Sequence, residues 1–131
     1  MSYTYVLLKL NEKTVRSRRV RFKDAIKENI VDWGHTMEEV QQHLARLYPT
    51  AEWDNIVNTL DGTEHRQISG EVFDMPGRFD FMIAEYPVPA LYIGGSHRVN
   101  QVPEIAKIAA ALRLSAFDVQ TGECIYLQPL E

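Results

Sequence analysis

The chain has 131 residues, of which 45% are hydrophobic and 24% are charged. These values suit one soluble domain with a single core, and no stretch approaches the roughly 18 apolar residues that a membrane-spanning helix needs. The net charge of -4 conceals a basic segment, residues 9–27, that carries +6, while the remainder of the chain carries -10.

The first third of the chain is predicted to form two strands and a helix. Residues 2–11, SYTYVLLKLN, have strand composition, and the apolar run is too short for the core of a signal peptide. Residues 14–22, TVRSRRVRF, are predicted as a second strand, whose arginines would discourage edge-to-edge pairing. Residues 22–33, FKDAIKENIVDW, are predicted to be helical because apolar residues recur every fourth position: Phe22, Ile26 and Ile30.

The clearest helical signal begins at Thr36. Glu39 follows three residues later, which is the spacing of a capping box. An apolar stripe of helical period then runs as far as Pro49, which closes the segment. The stripe consists of Met37, Val40, Leu44 and Leu47.

The middle of the chain is predicted to be rich in strands. Residues 51–62, AEWDNIVNTLDG, leave helix and strand open and end in a turn signal. Residues 66–75 and 78–86 are predicted as two strands around a turn, the second alternating apolar with polar or smaller side chains. Residues 89–95, PALYIGG, are predicted as a short buried strand.

The final third is predicted to form a helix and a hairpin. Asn100 is placed as the cap of a helix with Pro103 in its first turn and the stripe Ile105, Ile108, Ala109 and Leu112. Residues 114–129 are predicted as a hairpin in which Gly122 takes a positive φ. We therefore expect a single α+β domain over residues 1–131: a mostly antiparallel sheet of about six strands with two or three helices packed on one face.

The loop after the last buried strand has two interpretations. Backbone amides at two glycines, a hydroxyl and a guanidinium before a helix would suit an anion, and the chain would then be a small-molecule or nucleotide-binding protein or an enzyme. The pattern lacks the phosphate-loop and dinucleotide signatures, so we favour a structural corner. The residues of this alternative anion site are Gly94, Gly95, Ser96, His97 and Arg98.

No catalytic set, metal site or cofactor is predicted. The four histidines form no metal-binding helical pair, and one cysteine cannot complete a zinc set. Cys124 is expected to be a small buried residue, and its being the only cysteine favours a reducing, cytoplasmic compartment.

The basic segment invites a nucleic-acid interpretation, because clustered cations bind phosphates. Aromatic platforms near it are few, and the acidic remainder of the chain would repel a long polyanion. We therefore regard nucleic acid as the weaker alternative. We expect the arginines to pair with acidic residues of the same chain or of a second subunit in a homodimer.

The ending EIAKIAAALRLSAFDVQTGECIYL resembles the closing helix and hairpin of small bacterial proteins, some of which serve as immunity proteins against toxins. The resemblance implies a cytoplasmic protein that binds and blocks one cognate toxin. Toxins that cleave nucleic acid are often basic, and an acidic partner speeds association with them. The candidate contact residues are six carboxylates and one aromatic anchor: Glu38, Glu39, Glu52, Asp54, Asp61, Glu64 and Trp53.

Overall fold

A computed structural model describes residues 3–75, 77–95 and 98–130. They form one sheet and three helices. The strands are β1 (Tyr3–Leu10), β2 (Ile30–Val31), β3 (Glu52–Leu60), β4 (Thr63–Met75), β5 (Gly77–Ala84), β6 (Ala90–Gly95), β7 (Ser115–Asp118) and β8 (Cys124–Tyr126). The helices are α1 (Glu12–Arg16), α2 (Met37–Leu47) and α3 (Arg98–Leu112).

The sheet is antiparallel throughout, in the order β3-β4-β5-β6-β1-β7-β8, and β2 pairs with the end of β1. The α+β prediction is confirmed, with eight strands where about six were expected. Helices α2 and α3 share one core with the same face of the sheet, and Trp33 is buried in that core. The short helix α1 lies on the opposite face, where its Val15 packs against Val6, Leu8 and Leu10 of β1.

The helix after Thr36 forms as predicted. The Thr36 hydroxyl accepts a hydrogen bond from the Glu39 backbone N–H at 3.1 Å, and the Glu39 carboxylate accepts from the Thr36 N–H at 2.9 Å. This capping box satisfies two donors that a helix N-terminus otherwise leaves open. Met37, Val40 and Leu44 are buried, so the helical stripe faces the sheet.

Helix α3 buries its predicted stripe, but it begins earlier than expected. Ile105, Ile108, Ala109 and Leu112 are all buried against the sheet. The helix starts at Arg98, so Asn100 lies inside it and is not the cap. The prediction for this boundary was wrong: β6 ends at Gly95 and the helix begins at Arg98, so the chain turns into the helix before it reaches Asn100.

The prediction was also wrong for the basic segment. The stretch predicted as a strand forms α1, capped by the Asn11 side chain, which accepts from the Thr14 N–H at 2.8 Å, followed by irregular backbone. The stretch predicted as a helix forms two 3-10 turns, residues 22–24 and 27–29, and then β2. Ile26 is 50% exposed, so the expected stripe does not share a face. Burial of Val20 and partly of Phe22 against β1 and β7 outweighs the local periodicity.

The strand-rich middle of the chain is confirmed. Residues 51–62, which sequence left open, form strand β3 and a two-residue turn. Asp61 and Gly62 have φ values of 52° and 75°, as in the turns that match the twist of a hairpin. Gly122 has a φ of 76°, as predicted for the last hairpin.

Candidate functional site

One face of the sheet stays open over four strands. Helices α2 and α3 cover the other face, and α1 with its following turns covers β1 and β7 on this one. Over the part formed by β3, β4, β5 and β6, alternate side chains are exposed or partly exposed, except for the buried Ala84 and Ala90. We call it the open face.

Three carboxylates form a row across the open face. The register places Glu52 of β3 opposite Glu71 of β4, and Glu71 opposite Asp80 of β5. Like charges in directly opposed cross-strand positions are destabilising. The repulsion within this acidic row therefore opposes folding, and the row does not stabilise the sheet.

Arg78 offsets part of this charge. Its guanidinium lies 3.3 Å from an Asp80 carboxylate oxygen and 3.4 Å from one of Glu71, and it sits 5.1 Å from the centre of the Phe73 ring. All three ion-pairing side chains are about half exposed, so solvent weakens these ion pairs. The acidic row remains net negative and accessible to cations of a partner.

Apolar side chains lie beside the acidic row. Asp54, Ser69, Met82 and Tyr92 form the next row of the register. Ile56, Met82 and Tyr92 contribute to a shallow depression of about 290 Å³ whose rim includes Glu71 and Asp80. Partial burial raises the pKa of the Tyr92 phenol, so the ring stays neutral. An apolar floor within an acidic rim has the composition of a protein-binding surface.

Trp53 lies on the other side of the sheet from its neighbours Glu52 and Asp54. Its ring stacks on Phe81 with centroids 5.9 Å apart and planes 15° apart. The ring also covers Gly70, where an added Cβ would come within 2.5 Å of it. Trp53 is thus half-buried against the core, while Tyr92 and the 60% exposed Phe73 are aromatic side chains of the open face.

The remaining predicted contact residues lie elsewhere. Glu38 pairs with Arg66, and the hydrogen bond that Arg66 donates lowers the pKa of the Glu38 carboxyl. Glu39 is held in the capping box. Arg66 shares the face of the buried Ile68, so both glutamates stand on the helix-bearing side of the sheet.

Two further candidates lie at the far end of the β3–β4 hairpin. The Asp61 carboxylate accepts a hydrogen bond from the Tyr86 hydroxyl at the turn. Glu64 pairs in register with Thr59, on the helix-bearing side of the sheet. The seven predicted residues therefore occupy three places, and only Glu52 and Asp54 belong to the open face.

The acidic row includes residues that sequence reasoning missed. The alternation of residues 78–86 places the Asp80 side chain on the opposite face of the sheet from the buried Phe79 and Phe81, as expected. Glu71 and Asp80 lie beside Glu52 only because of the register in which three strands pair. That register cannot be predicted from the residues of any one strand.

The alternative anion site is only partly described. Ser96 and His97 lie outside the described residues, as does the side chain of Arg98. A Cβ on Gly95 would come within 2.0 Å of the amide oxygen of the buried Gln101, so a side chain there would have to displace Gln101. Gly94 pairs with Asp80, whose carboxylate would repel an anion. These contacts favour the structural corner.

Within the described part of the chain, one arginine of the basic segment pairs with an acid of the same chain. Arg16 contacts Glu12 one turn away, whereas Arg18 and Arg19 have no ion pair within the described part of the chain. Arg21 donates to the Thr121 carbonyl at 2.8 Å. Among the described residues Arg18 and Arg19 thus have no acidic partner in the same chain, and their pairing with a second subunit stays a prediction. Together with Arg21 they line an open depression of about 460 Å³.

Cys124 borders the same depression and is half-buried, where a buried residue was expected. Burial raises the pKa of its thiol, while a backbone hydrogen bond involving Tyr126 partly opposes that change. The thiol form is therefore the stable one, which does not favour a nucleophile.

Within residues 3–75, 77–95 and 98–130, no three metal-ligating side chains converge. In the same ranges no helix is long and apolar enough to cross a membrane. No protein-family model matches the chain, and neither a curated protein nor a solved structure is significantly similar to it.

Proposed function

We propose that the chain is a non-catalytic protein-binding module whose open face binds a basic surface of another protein. The observation that carries the proposal is the acidic row beside an apolar depression. Opposed carboxylates destabilise an isolated sheet, and cations of a bound partner would relieve that repulsion. The same charges would steer a basic partner toward the face and raise its association rate.

The partner that fits best is a basic toxin, which makes the chain an immunity protein. This finer assignment rests on the resemblance of the C-terminal helix and hairpin and on the sign of the charge. Tyr92 and Phe73 are the apolar anchors on this surface, because aromatic side chains concentrate binding energy where an interface excludes water.

The test uses the product of the reading frame next to the one encoding this chain. If that product stops growth when produced alone, co-production of this chain should restore growth. Glu52→Lys with Asp54→Lys should lower the association rate constant about tenfold or more at low salt. Tyr92→Ala should mainly raise the dissociation rate constant.

A matched control changes the charge equally away from the open face. Glu64→Lys with Glu85→Lys alters two exposed acids, and Glu64 lies on the helix-bearing side. At about 0.15 M salt, where charges more than about 8 Å from the contact are largely screened, this variant should associate within about twofold of the unmodified chain, while the open-face variant should still associate several-fold more slowly. Equal slowing by both double variants would refute the open face as the binding surface, and absence of any binding would refute the assigned partner.

A further inference from the structure

The outer edge of strand β3 is long and regular. The strand has nine residues, and it pairs with β4 from Glu52 to Leu60 without a shift of register. In the described part of the chain its other edge has no neighbouring strand. Such an edge presents a row of backbone donors and acceptors that another strand can bind.

This edge has few of the features that usually prevent such pairing, because its two charged residues, Glu52 and Asp54, both lie within its first three positions. Between residues 52 and 60 there is no lysine, arginine or proline, and no bulge interrupts the pairing with β4. Val57 is 60% exposed and Leu60 is 38% exposed. Isolated domains commonly protect an edge of this length with charge, proline or a bulge.

The hairpin turn indicates which residues direct their backbone groups outward. Leu60 and Thr63 close a two-residue turn, and the pair that closes such a turn is hydrogen-bonded. By alternation the even-numbered residues of β3 bond to β4. The odd-numbered ones therefore direct their N–H and C=O groups to the open edge: Trp53, Asn55, Val57 and Thr59.

We propose that a second copy of this chain binds here, so that two β3 strands pair antiparallel about a twofold axis at Ile56. Ile56 is the midpoint of the strand, so this register pairs all nine residues. It makes about eight backbone hydrogen bonds between the copies, because four outward residues on each strand meet four on the other.

Charge favours this register. Glu52 then faces Leu60 of the second copy, and Asp54 faces Asn58, so no carboxylate opposes another across the interface. The two Ile56 side chains meet on the open face. Since Ile56 lines the 290 Å³ depression, the second copy would complete the outer wall of that depression. The pairing does not depend on the identity of any toxin.

Sedimentation equilibrium of the full chain tests the proposal over a wide concentration range. The unmodified protein should form dimers at micromolar concentrations. Asn55 faces Val57 of the second copy, so Asn55→Lys with Val57→Lys should weaken dimerisation at least tenfold. Asn55→Lys with Val57→Glu is the matched variant, since it places opposite charges across the interface and should restore the dimer. A monomer at every concentration, or equal weakening by both variants, would overturn the proposal.

A cross-link tests the register even if a lysine variant folds poorly. In a background of Cys124→Ser, Ile56→Cys places two thiols across a non-hydrogen-bonded pair, where Cα atoms about 4.5 Å apart permit a disulfide. Asp54→Cys is the control, because its two thiols would lie about 13 Å apart along the strands. Rapid oxidation of the first variant alone supports the proposal. Equal cross-linking of both variants, or of neither, contradicts it.

Discussion

Gly70→Ala should destabilise the protein, and the loss should depend on Trp53. Gly70 lies between Trp53 and Phe81 in one cross-strand row, and the two rings stack across it. A Cβ at position 70 would lie 2.5 Å from the indole ring, closer than atoms of packed side chains approach. The ring or the strand must therefore move.

The magnitude follows from two opposing effects. Overpacking in a well-packed region costs about 1–3 kcal/mol of unfolding free energy. Replacing glycine by alanine recovers about 0.4–1 kcal/mol by restricting the unfolded chain. The net loss expected for Gly70→Ala is about 1–2 kcal/mol. In a Trp53→Ala background the clash is absent, so the same change should be neutral or stabilise by about 0.5 kcal/mol.

Equilibrium unfolding in urea, followed by circular dichroism, measures the four members of this double-mutant cycle. The expected coupling is about 2 kcal/mol. Gly94→Ala is a matched control, because a Cβ there would contact Asp80 at an ordinary 3.7 Å. If Gly70→Ala costs the same with and without the indole ring, the packing of Trp53 over Gly70 is not the reason for the glycine.

Three further predictions concern the cap of α2, the titration of His43 and the basic segment. Thr36→Ala should lower the unfolding free energy by about 1 kcal/mol through loss of the α2 cap, and calorimetry would disprove this by finding an unchanged melting temperature. Burial lowers the pKa of His43, and the charge of Arg46 lowers it further. As the pH falls, this histidine is therefore protonated in the unfolded chain before it is protonated in the folded one, so stability should fall as the pH drops below about 6.5. His43→Gln should flatten that part of the profile of urea midpoint against pH, and an unaltered slope would assign the effect to another group. The unmodified chain should show little salt-sensitive retention on DNA or RNA; steep salt-dependent retention that Arg18→Glu with Arg19→Glu abolishes would reverse this interpretation.

Local signals were sufficient to predict much of the fold. The capping box at Thr36 and the stripe that follows it specify α2 almost unaided, because a helix satisfies its own backbone and buries one stripe. The alternation around Phe81 and the positive φ of Gly122 likewise depend on residues near in sequence. The α+β class follows from these elements, since each must bury an apolar face against another.

The candidate site was predictable only in part. Glu52 and Asp54 were chosen for their charge and exposure, and they do lie on the open face. Trp53 lies on the helix-bearing side of the sheet because a strand directs successive side chains to opposite faces. The sequence did not decide between helix and strand for this segment. Glu71 and Asp80 joined the site only through pairing with distant strands.

By itself, the sequence determined the elements whose period, caps and turns are local, and it determined the separation of basic and acidic charge along the chain. The tertiary structure decided two things that depend on long-range pairing. It turned the basic segment into a cover for β1 and β7, because burying Val15 and Val20 there outweighs a local helix or strand preference. It also set the register that aligns three carboxylates in one row, since register depends on contacts between strands and not on any strand alone.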